Sequence, residues 1–419
     1  HASTIIVDDL PMYQQARKAL RLSKKKPQII CMERPKSLFK HTVTWQTAMH
    51  IGSTNLPSFQ KSILYNIRHS NPKDPACIIF TSGTTGTPKG AILSHENVLF
   101  SAAGVEAVGT SHIPNAKLLS YLPLAHVFER VVGYYGGIYS RHRLYCIWSV
   151  EDLKEALPIV RPNIFVAVPR VYEKIEEGLL CKISHSPLNW LFQQALANGS
   201  TRNQFLQKNQ TPPWTTRLKH YLFHQLFLHK VRRAIGLDQC QLCLSGAAPL
   251  DPKVIDFFAS LNLDIVEGYG LTENSAPATV SWNDALTHNM RHLFSQYHIP
   301  FPYPITRQFG RVGYPMPGTK IRIGSSSLIQ VYGPHIFQGY LNDARNTKAS
   351  LDKKWLKTGD IGCVHSTGEI EIVGRKKDII VLSNGKNIAP RKIESLLLRH
   401  QLIAHVCLSG DGKAYATVV

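Results

Sequence analysis

The sequence predicts an α/β protein that passes into a section of short strands, and three observations predict it. Near the start, Ser3 to Asp8 alternates and ends in acidic residues as a strand does. Pro11 to Leu22 then carries a helical pattern and Ile29 to Met32 is apolar again, so strand, helix, strand gives a parallel α/β unit. Further on, Ile78 to Phe80, Asn163 to Val168 and Leu242 to Leu250 are apolar runs, and the first and last of them stop at small or hydroxyl residues. Finally, Ile321 to Gly339 alternates short strands with turns, the pattern of a small β-barrel. The chain has 419 residues and 43% hydrophobic content, enough for a large core and about two to three structural units.

Lys and Arg number 48 against 28 Asp and Glu, a net charge of +20 that favours anionic partners: nucleotide, an anionic membrane face or nucleic acid. Charge alone does not choose among them. Of the cysteines, only Cys240 and Cys243 are closely spaced; a single CxxC inside an apolar run fits two buried thiols of a strand better than zinc. Scattered thiols fit the reducing cytoplasm. The most apolar stretch, Val131 to Trp148, is broken by Arg141, His142 and Arg143, so the expectation is a soluble protein or one lying on a membrane surface. Residue 1 is His rather than Met, which places the expected natural start upstream.

After a turn at Pro72 to Pro75, the strand Ile78 to Phe80 runs into TSGTTGTPKG. Gly83 and Gly86 let backbone N–H groups approach a ligand, Thr81, Ser82, Thr84, Thr85 and Thr87 offer hydroxyls, and Lys89 adds charge; this chemistry suits triphosphate. It is not a Walker A loop, because Pro88 and Gly90 flank the lysine. Gly90 to Leu93 reads as the next strand, with Ser94 capping a helix that opens at His95. In YLPLAHVFER, Tyr121 to Arg130, a lone His126 is either a satisfied core residue or part of a pocket wall. Ser184 to Leu237 is mostly helical in pattern. Within it, Trp214 to Arg233 mixes apolar residues with Arg217, Lys219, Lys230, Arg232 and Arg233, which suits an anionic membrane or a domain surface equally.

LCLSGAAPL runs a strand into Gly246, Ala247 and Ala248, whose small side chains leave room for a flat ligand. In IVEGYGLTE, Glu267 leads to Tyr269 between Gly268 and Gly270, a ring free to stack on a base, and Thr272 and Glu273 supply oxygens for phosphate and Mg²⁺. Thr358, Gly359 and Asp360 close the short-strand section. In GRKKDIIVLSNGKNIAP, Arg375 to Asp378 lies between apolar strands as a linker would, and Ser383 to Gly385 turns the chain back.

TSGTTGTPKG, EGYGLTE, TGD and GRKKD together resemble the adenylate-forming enzymes, and PLAHVFER with VPRVYEKI is similar to their long-chain fatty acid CoA ligases. The resemblance implies two α/β subdomains plus a β-barrel over about 301–377, together one large AMP-binding domain over 1–377. Residues 378–419 would be a hinge and the first part of a truncated α+β C-terminal domain, with the adenylation lysine expected beyond residue 419. It also implies activation of a long-chain fatty acid with ATP and Mg²⁺ to an acyl-adenylate, then transfer to coenzyme A. In that reading Lys89, His126, Thr272 and Glu273 are catalytic, and Glu273 and Thr81 hold the metal. The nucleotide lies on the loop from Thr81 to Gly86 and on Gly246, Ala247, Glu267 to Gly270, Thr272, Asp360 and Arg375. Asp378 is the hinge, and Gly385 is on the CoA side. Nucleic acid is not an expected partner. The alternatives are a fatty acyl-AMP ligase serving a carrier protein, and a non-catalytic nucleotide-binding protein.

Overall fold

The computed structural model describes residues 3–21, 27–33, 41–81, 87–110, 113–282, 295, 308–397, 400, 403 and 405–419. They fall into two compact units, His1–Asn71 and Pro72–Val419.

In the first unit, β1 (Thr4–Val7), β2 (Gln28–Cys31) and β3 (Thr42–Thr44) form a parallel sheet, with Ile5 opposite Ile29 and Ile30 opposite Val43. Parallel neighbours need a crossover, and α1 (Leu10–Arg21) supplies it between β1 and β2. Its Tyr13 packs on Val7, Ile29 and Cys31, with the phenol oxygen 3.3 Å from Thr42 Oγ1. The Thr44 hydroxyl then accepts the Thr47 N–H and caps α2 (Trp45–His69).

The second unit starts with β4 (Pro75–Thr81) and β5 (Lys89–Ser94), an antiparallel pair with Thr81 opposite Lys89. Ser94 caps α3 (His95–Val105) through a capping box, its hydroxyl accepting the Asn97 N–H while the Asn97 side chain accepts the Ser94 N–H. There follow β6 (Lys117–Ser120), a π-helical stretch Phe128–Tyr135, α4 (Gly136–Tyr139), β7 (Arg143–Cys146), α5 (Leu153–Val160) and β8 (Ile164–Ala167). Pro169 then opens α6 (Pro169–Ser184), where its missing N–H costs nothing, so VPRVYEKI is a helix start. Helices α7 (Asn189–Gln207), α8 (Trp214–Phe223) and α9 (His229–Ala234) precede β9 (Leu242–Gly246), α10 (Pro252–Ser260) and β10 (Ile265–Tyr269). With β11 (Thr279–Val280) and β12 (Tyr314–Pro315) these strands form a sheet of order β12-β11-β10-β9-β8-β6-β7. The run from β7 to β10 is parallel, and β11 and β12 add an antiparallel edge.

Side-chain alternation gives this sheet two cores. Leu119, Phe165 and Cys243 face one, with Tyr172, Phe192 and Phe258, while Leu118, Val166 and Leu244 face the other, with Phe128, Trp282 and Tyr314. Cys240 and Cys243 are buried free thiols with sulfurs 3.5 Å apart, as expected of a strand rather than a zinc knuckle. Within the expected basic helix, a π-turn at His224–Leu228 separates α8 from α9, and Arg232 turns inward to donate to the carbonyls of Leu237, Asp238 and Cys240. Arg232 therefore leaves the surface set to which the sequence assigned it.

The short-strand section is β13 (Lys320–Ile323), β14 (Leu328–Tyr332), β15 (Gly339–Tyr340), β16 (Leu351–Asp352), β17 (Trp355–Val364) and β18 (Ile370–Arg375), with α11 (Ala344–Ser350) between β15 and β16. All but β15 build one antiparallel sheet around β17; β15 pairs with β5 instead, setting Tyr340 opposite Ala91. The last elements are the hairpin β19 (Ile380–Val381) and β20 (Asn387–Ile388), α12 (Pro390–Leu397), β21 (Leu408–Ser409) and β22 (Thr417–Val418). Among the described residues, no helix is long and apolar enough to cross a membrane.

Candidate active site

The turn between β10 and β11 carries two polar clusters. At its start, the Tyr269 hydroxyl donates to Asp360 Oδ2 at 2.7 Å, and Arg375 Nε donates to Asp360 Oδ1 at 3.0 Å. Strand pairing makes this possible, since β17 and β18 set Asp360 directly opposite Arg375. Asp360 is only 3% exposed, so its charge is taken out of water and compensated by a guanidinium and a hydroxyl. Burial first, and then the Asp360 charge, push the Tyr269 phenol well above its ordinary pKa. The ring expected to stand clear for stacking is thus tethered at its hydroxyl.

Thr272 opens a short 3₁₀ turn, Thr272–Asn274, and the Glu273 carbonyl accepts the Phe337 N–H at 2.8 Å. That bond brings the Glu273 carboxylate to Tyr340, whose hydroxyl donates to Oε1 at 2.6 Å. Burial, with Glu273 beside it, raises the Tyr340 phenol above its ordinary pKa. The Lys89 ammonium lies 5.5 Å from the centre of the Tyr340 ring, a cation–π distance, and Thr81 Oγ1 donates across the hairpin to the Lys89 carbonyl at 3.4 Å. Thr81, Lys89, Glu273 and Tyr340 are therefore assembled from three distant parts of the chain. No local motif singles out Tyr340; the pairing of β15 with β5, entered through Gly339 at φ +138°, puts its ring here.

Gly246 ends β9 opposite Gly268, and a Cβ there would lie 2.7 Å from the Phe128 ring, so any larger residue would have to displace that ring. Ala247 adopts φ +71°, a strained value for alanine next to a candidate ligand surface. A Cβ on Gly270 would come within 2.9 Å of Ala276 Cα. Glu267 is buried and accepts the Leu250 N–H at 3.4 Å, and burial pushes its carboxyl up to about 7. His126 Nδ1 takes the Phe128 N–H at 3.3 Å, and desolvation lowers its pKa; among the described residues no hydrogen bond or ion pair joins it to either cluster. Asp378 ends a 3₁₀ turn, Lys376–Asp378, and Gly385, at φ +79°, turns the β19–β20 hairpin with its N–H on the Leu382 carbonyl. Ser82, Gly83, Thr84, Thr85 and Gly86 lie outside the described residues.

A mixed sheet followed by an antiparallel strand section, with polar clusters where they meet, is the fold of the adenylate-forming enzymes. Solved structures similar to it include MatB from Rhodopseudomonas palustris bound to ATP, at TM-score 0.62 and 19% identity over 97% of this chain and 65% of that one. O-succinylbenzoate CoA synthetase (MenE) from Bacillus subtilis in complex with AMP is similar at TM-score 0.60 and 18% identity, over 93% and 67%. Residues 1–341 match the AMP-binding enzyme family, and residues 377–419 match the AMP-binding enzyme C-terminal domain. The chain belongs to the AMP-binding enzyme family. It is 33% identical over 82% of its length to the long-chain-fatty-acid–CoA ligase FadD15 of Mycobacterium bovis, covering 53% of that protein. It is also 31% identical over 100% of its length to the long-chain-fatty-acid–CoA ligase ACSBG2 of Xenopus laevis, covering 55% of it. The chain thus spans about half the length of the curated relatives it matches.

Proposed function

We propose that this chain carries the nucleotide and acyl sites of a long-chain fatty acid CoA ligase. The fatty carboxylate attacks the α-phosphorus of ATP, breaking the bond to pyrophosphate and forming an acyl-adenylate; the thiol of coenzyme A then attacks the acyl carbonyl and AMP leaves. The observation that carries the reading is the convergence of Tyr269, Asp360 and Arg375 with Glu273, Tyr340 and Lys89 around one turn.

In this reading Asp360, paired with Arg375, accepts the ribose hydroxyls, and the Tyr269 face meets adenine between Gly268 and Gly270. Gly246 and Ala247 line the other side of the base. Lys89, with the loop from Thr81 to Gly86 and Thr272, holds the phosphates, and His126 lies beside the acyl carboxylate. The Glu273 carboxylate and the Thr81 hydroxyl are oxygen donors of the kind that Mg²⁺ takes, which fits that ion. Bound there, the ion would neutralise phosphate charge. Positioning and charge compensation supply the catalysis. The two separate family matches support a division near Asp378, with the large domain over 1–377 and Gly385 on the CoA side of the small one.

The test is fatty-acid-dependent exchange of pyrophosphate into ATP, followed by release of free acyl-CoA. Lys89→Ala and Glu273→Ala should each lower the exchange about 100- to 1,000-fold. Unchanged exchange in both variants would overturn the site, and acyl-adenylate without acyl-CoA would shift the reading to a ligase serving a carrier.

The surface of α8 and the turn after it exposes Trp214, Leu218, Tyr221, Leu222 and Leu226 beside Arg217, Lys219, Lys230 and Arg233. We propose that this face rests on an anionic membrane. Co-sedimentation with anionic vesicles should weaken steeply with salt and on neutralising the four basic residues; binding indifferent to both would exclude it.

A further inference from the structure

A group of metal-ligand side chains that the ligase reading does not use lies on the β17–β18 hairpin. Cys363 on β17 stands directly opposite Glu371 on β18, and His365, two residues after Cys363, projects to the same face. Cys363 Sγ is 3.8 Å from His365 Nε2, His365 Nε2 is 3.0 Å from Glu371 Oε2, and the three ligand atoms all lie within 4.8 Å of one another. Ligand atoms around a tetrahedral zinc ion, with bonds of about 2.0–2.3 Å, sit about 3.3–3.8 Å apart. The spacing found here needs little adjustment to reach that.

The turn that carries His365 is fixed from both ends. His365 N–H donates to the Glu369 carbonyl at 2.9 Å and the Gly368 N–H returns to the His365 carbonyl at 2.8 Å. Glu369, buried, is held by Arg311 at 2.6 Å and by the Thr367 hydroxyl at 3.0 Å. The imidazole is thus presented by backbone that is already ordered, which lowers the entropy cost of ligation. Cys363 is exposed and His365 and Glu371 are about 30% exposed, so an ion has access and a water can complete the shell.

We propose that Cys363 Sγ, His365 Nε2 and Glu371 Oε2 bind one Zn²⁺, with water in the fourth position. A thiolate, an imidazole and a carboxylate suit a borderline-soft ion and do not suit Mg²⁺ or Ca²⁺, which take oxygen. Binding exchanges the Cys363 thiol proton for the metal, so affinity rises with pH. The ion would cross-link β17 to β18 just beyond Asp360, stiffening the hairpin that presents Asp360 to Arg375. The inference stands on this hairpin alone and does not depend on the ligase reading.

Chelator-treated full chain titrated with Co²⁺ should show the visible bands of a tetrahedral site and a thiolate charge-transfer band in the near ultraviolet, saturating at one equivalent. Zn²⁺, measured by competition with a chromophoric chelator, should displace the Co²⁺ and raise the melting temperature. Cys363→Ser should abolish the charge-transfer band. Cys363→Ser, His365→Gln and Glu371→Gln should each weaken Zn²⁺ at least about 100-fold, because even outer-shell partners of zinc ligands cost about 10- to 100-fold. Serine at Cys146 or Cys181, the other exposed thiols before β17, should change neither reading. A thiolate band that survives Cys363→Ser, the absence of any band, or Zn²⁺ affinity equal to the wild type in all three ligand variants would overturn the site and leave His365 and Glu371 as a hydrogen-bonded pair.

Discussion

Asp360 and Glu129 are buried to the same degree and differ in what they face. Asp360 is 3% exposed and Glu129 0%, and each accepts a short hydroxyl hydrogen bond, from Tyr269 at 2.7 Å and from Ser120 at 2.6 Å. Asp360 also has Arg375 on its second oxygen, whereas Glu129 Oε2 has no hydrogen-bond partner among the described residues. Burial accordingly pushes the Glu129 carboxyl up, opposed only by the Ser120 hydrogen bond. A buried carboxylate costs several kcal/mol unless a cation and donors compensate it. The antiparallel β17–β18 pair supplies that compensation, and the π-helical stretch holding Glu129 against β6 does not. Burial marks a costly group, and the partners decide whether it is built to carry charge.

The largest expected effect follows from that difference. Asp360→Asn keeps the shape but leaves Arg375 and Tyr269 facing a neutral amide. The ATP-induced rise in melting temperature should shrink, and adenylation, if the proposed function is right, should fall about 100-fold through misplacement of the nucleotide. Glu129→Gln, equally buried, should leave both readings close to wild type. Equal losses in two variants that both stay folded would show that burial, and not the partner set, separates the two regions.

Much of this contrast was hidden in the sequence. Glu129 and Arg130 stand side by side in YLPLAHVFER as an apparent pair, yet Arg130 Nε turns to the Leu124 carbonyl at 2.6 Å while Glu129 goes inward to Ser120. Nothing local specifies which way each points. Gly133 does record it, because a Cβ there would lie 2.9 Å from Glu129 Oε1. The strands around TSGTTGTPKG and EGYGLTE were legible because apolar runs end sharply at glycine and hydroxyl residues. The sheet order was not, since β5, already paired with β4, takes β15 from far along the chain on its other edge and neither joins the parallel sheet. For the same reason Tyr340 was invisible, although it touches both Glu273 and Lys89. Asp360 and Arg375 came from motif likeness, and only strand register explains why they meet.

A third buried carboxylate sharpens the comparison by its pH dependence. Burial moves Glu267 from its ordinary 4.5 to about 7, opposed by backbone hydrogen bonds from Leu250 and Gly310. Below 4.5 both the folded and the unfolded chain carry the proton, so the group is then neutral in its effect. As pH rises from 4.5 to about 7 only the folded chain keeps it, and stability falls by about 1.4 kcal/mol per unit, about 3 kcal/mol in all. Above that window both forms are ionised and the curve flattens. Glu267→Gln should remove this slope in denaturant titrations across the window, and Glu129→Gln should remove a further slope of the same sign. A Glu267→Gln curve that still parallels the wild type would mean that Glu267 is ionised in the folded chain at acid pH, as a compensated carboxylate would be.

A last pair of variants isolates the hydroxyls, and Tyr269→Phe carries the smallest expected effect. Tyr269→Phe deletes one donor to Asp360 but leaves Arg375 in place, so the carboxylate remains compensated and the loss of stability should be about 1 kcal/mol. Ser120→Ala deletes the donor to Glu129 Oε1 when Oε2 already lacks a partner, leaving the whole group unsatisfied; the loss should approach about 3 kcal/mol near neutral pH and shrink in acid. The sign follows from the shift: removing Ser120 takes away what lowers the Glu129 pKa, so the folded chain binds its proton more tightly, and the pH-dependent part of the penalty appears only above the pH at which the wild-type folded chain releases that proton. Denaturant midpoints at acid and neutral pH for both variants measure this. If Tyr269→Phe proved the costlier at neutral pH, Arg375, itself half-exposed, would not be compensating Asp360, and the two carboxylates would differ in their hydroxyls rather than in their cation.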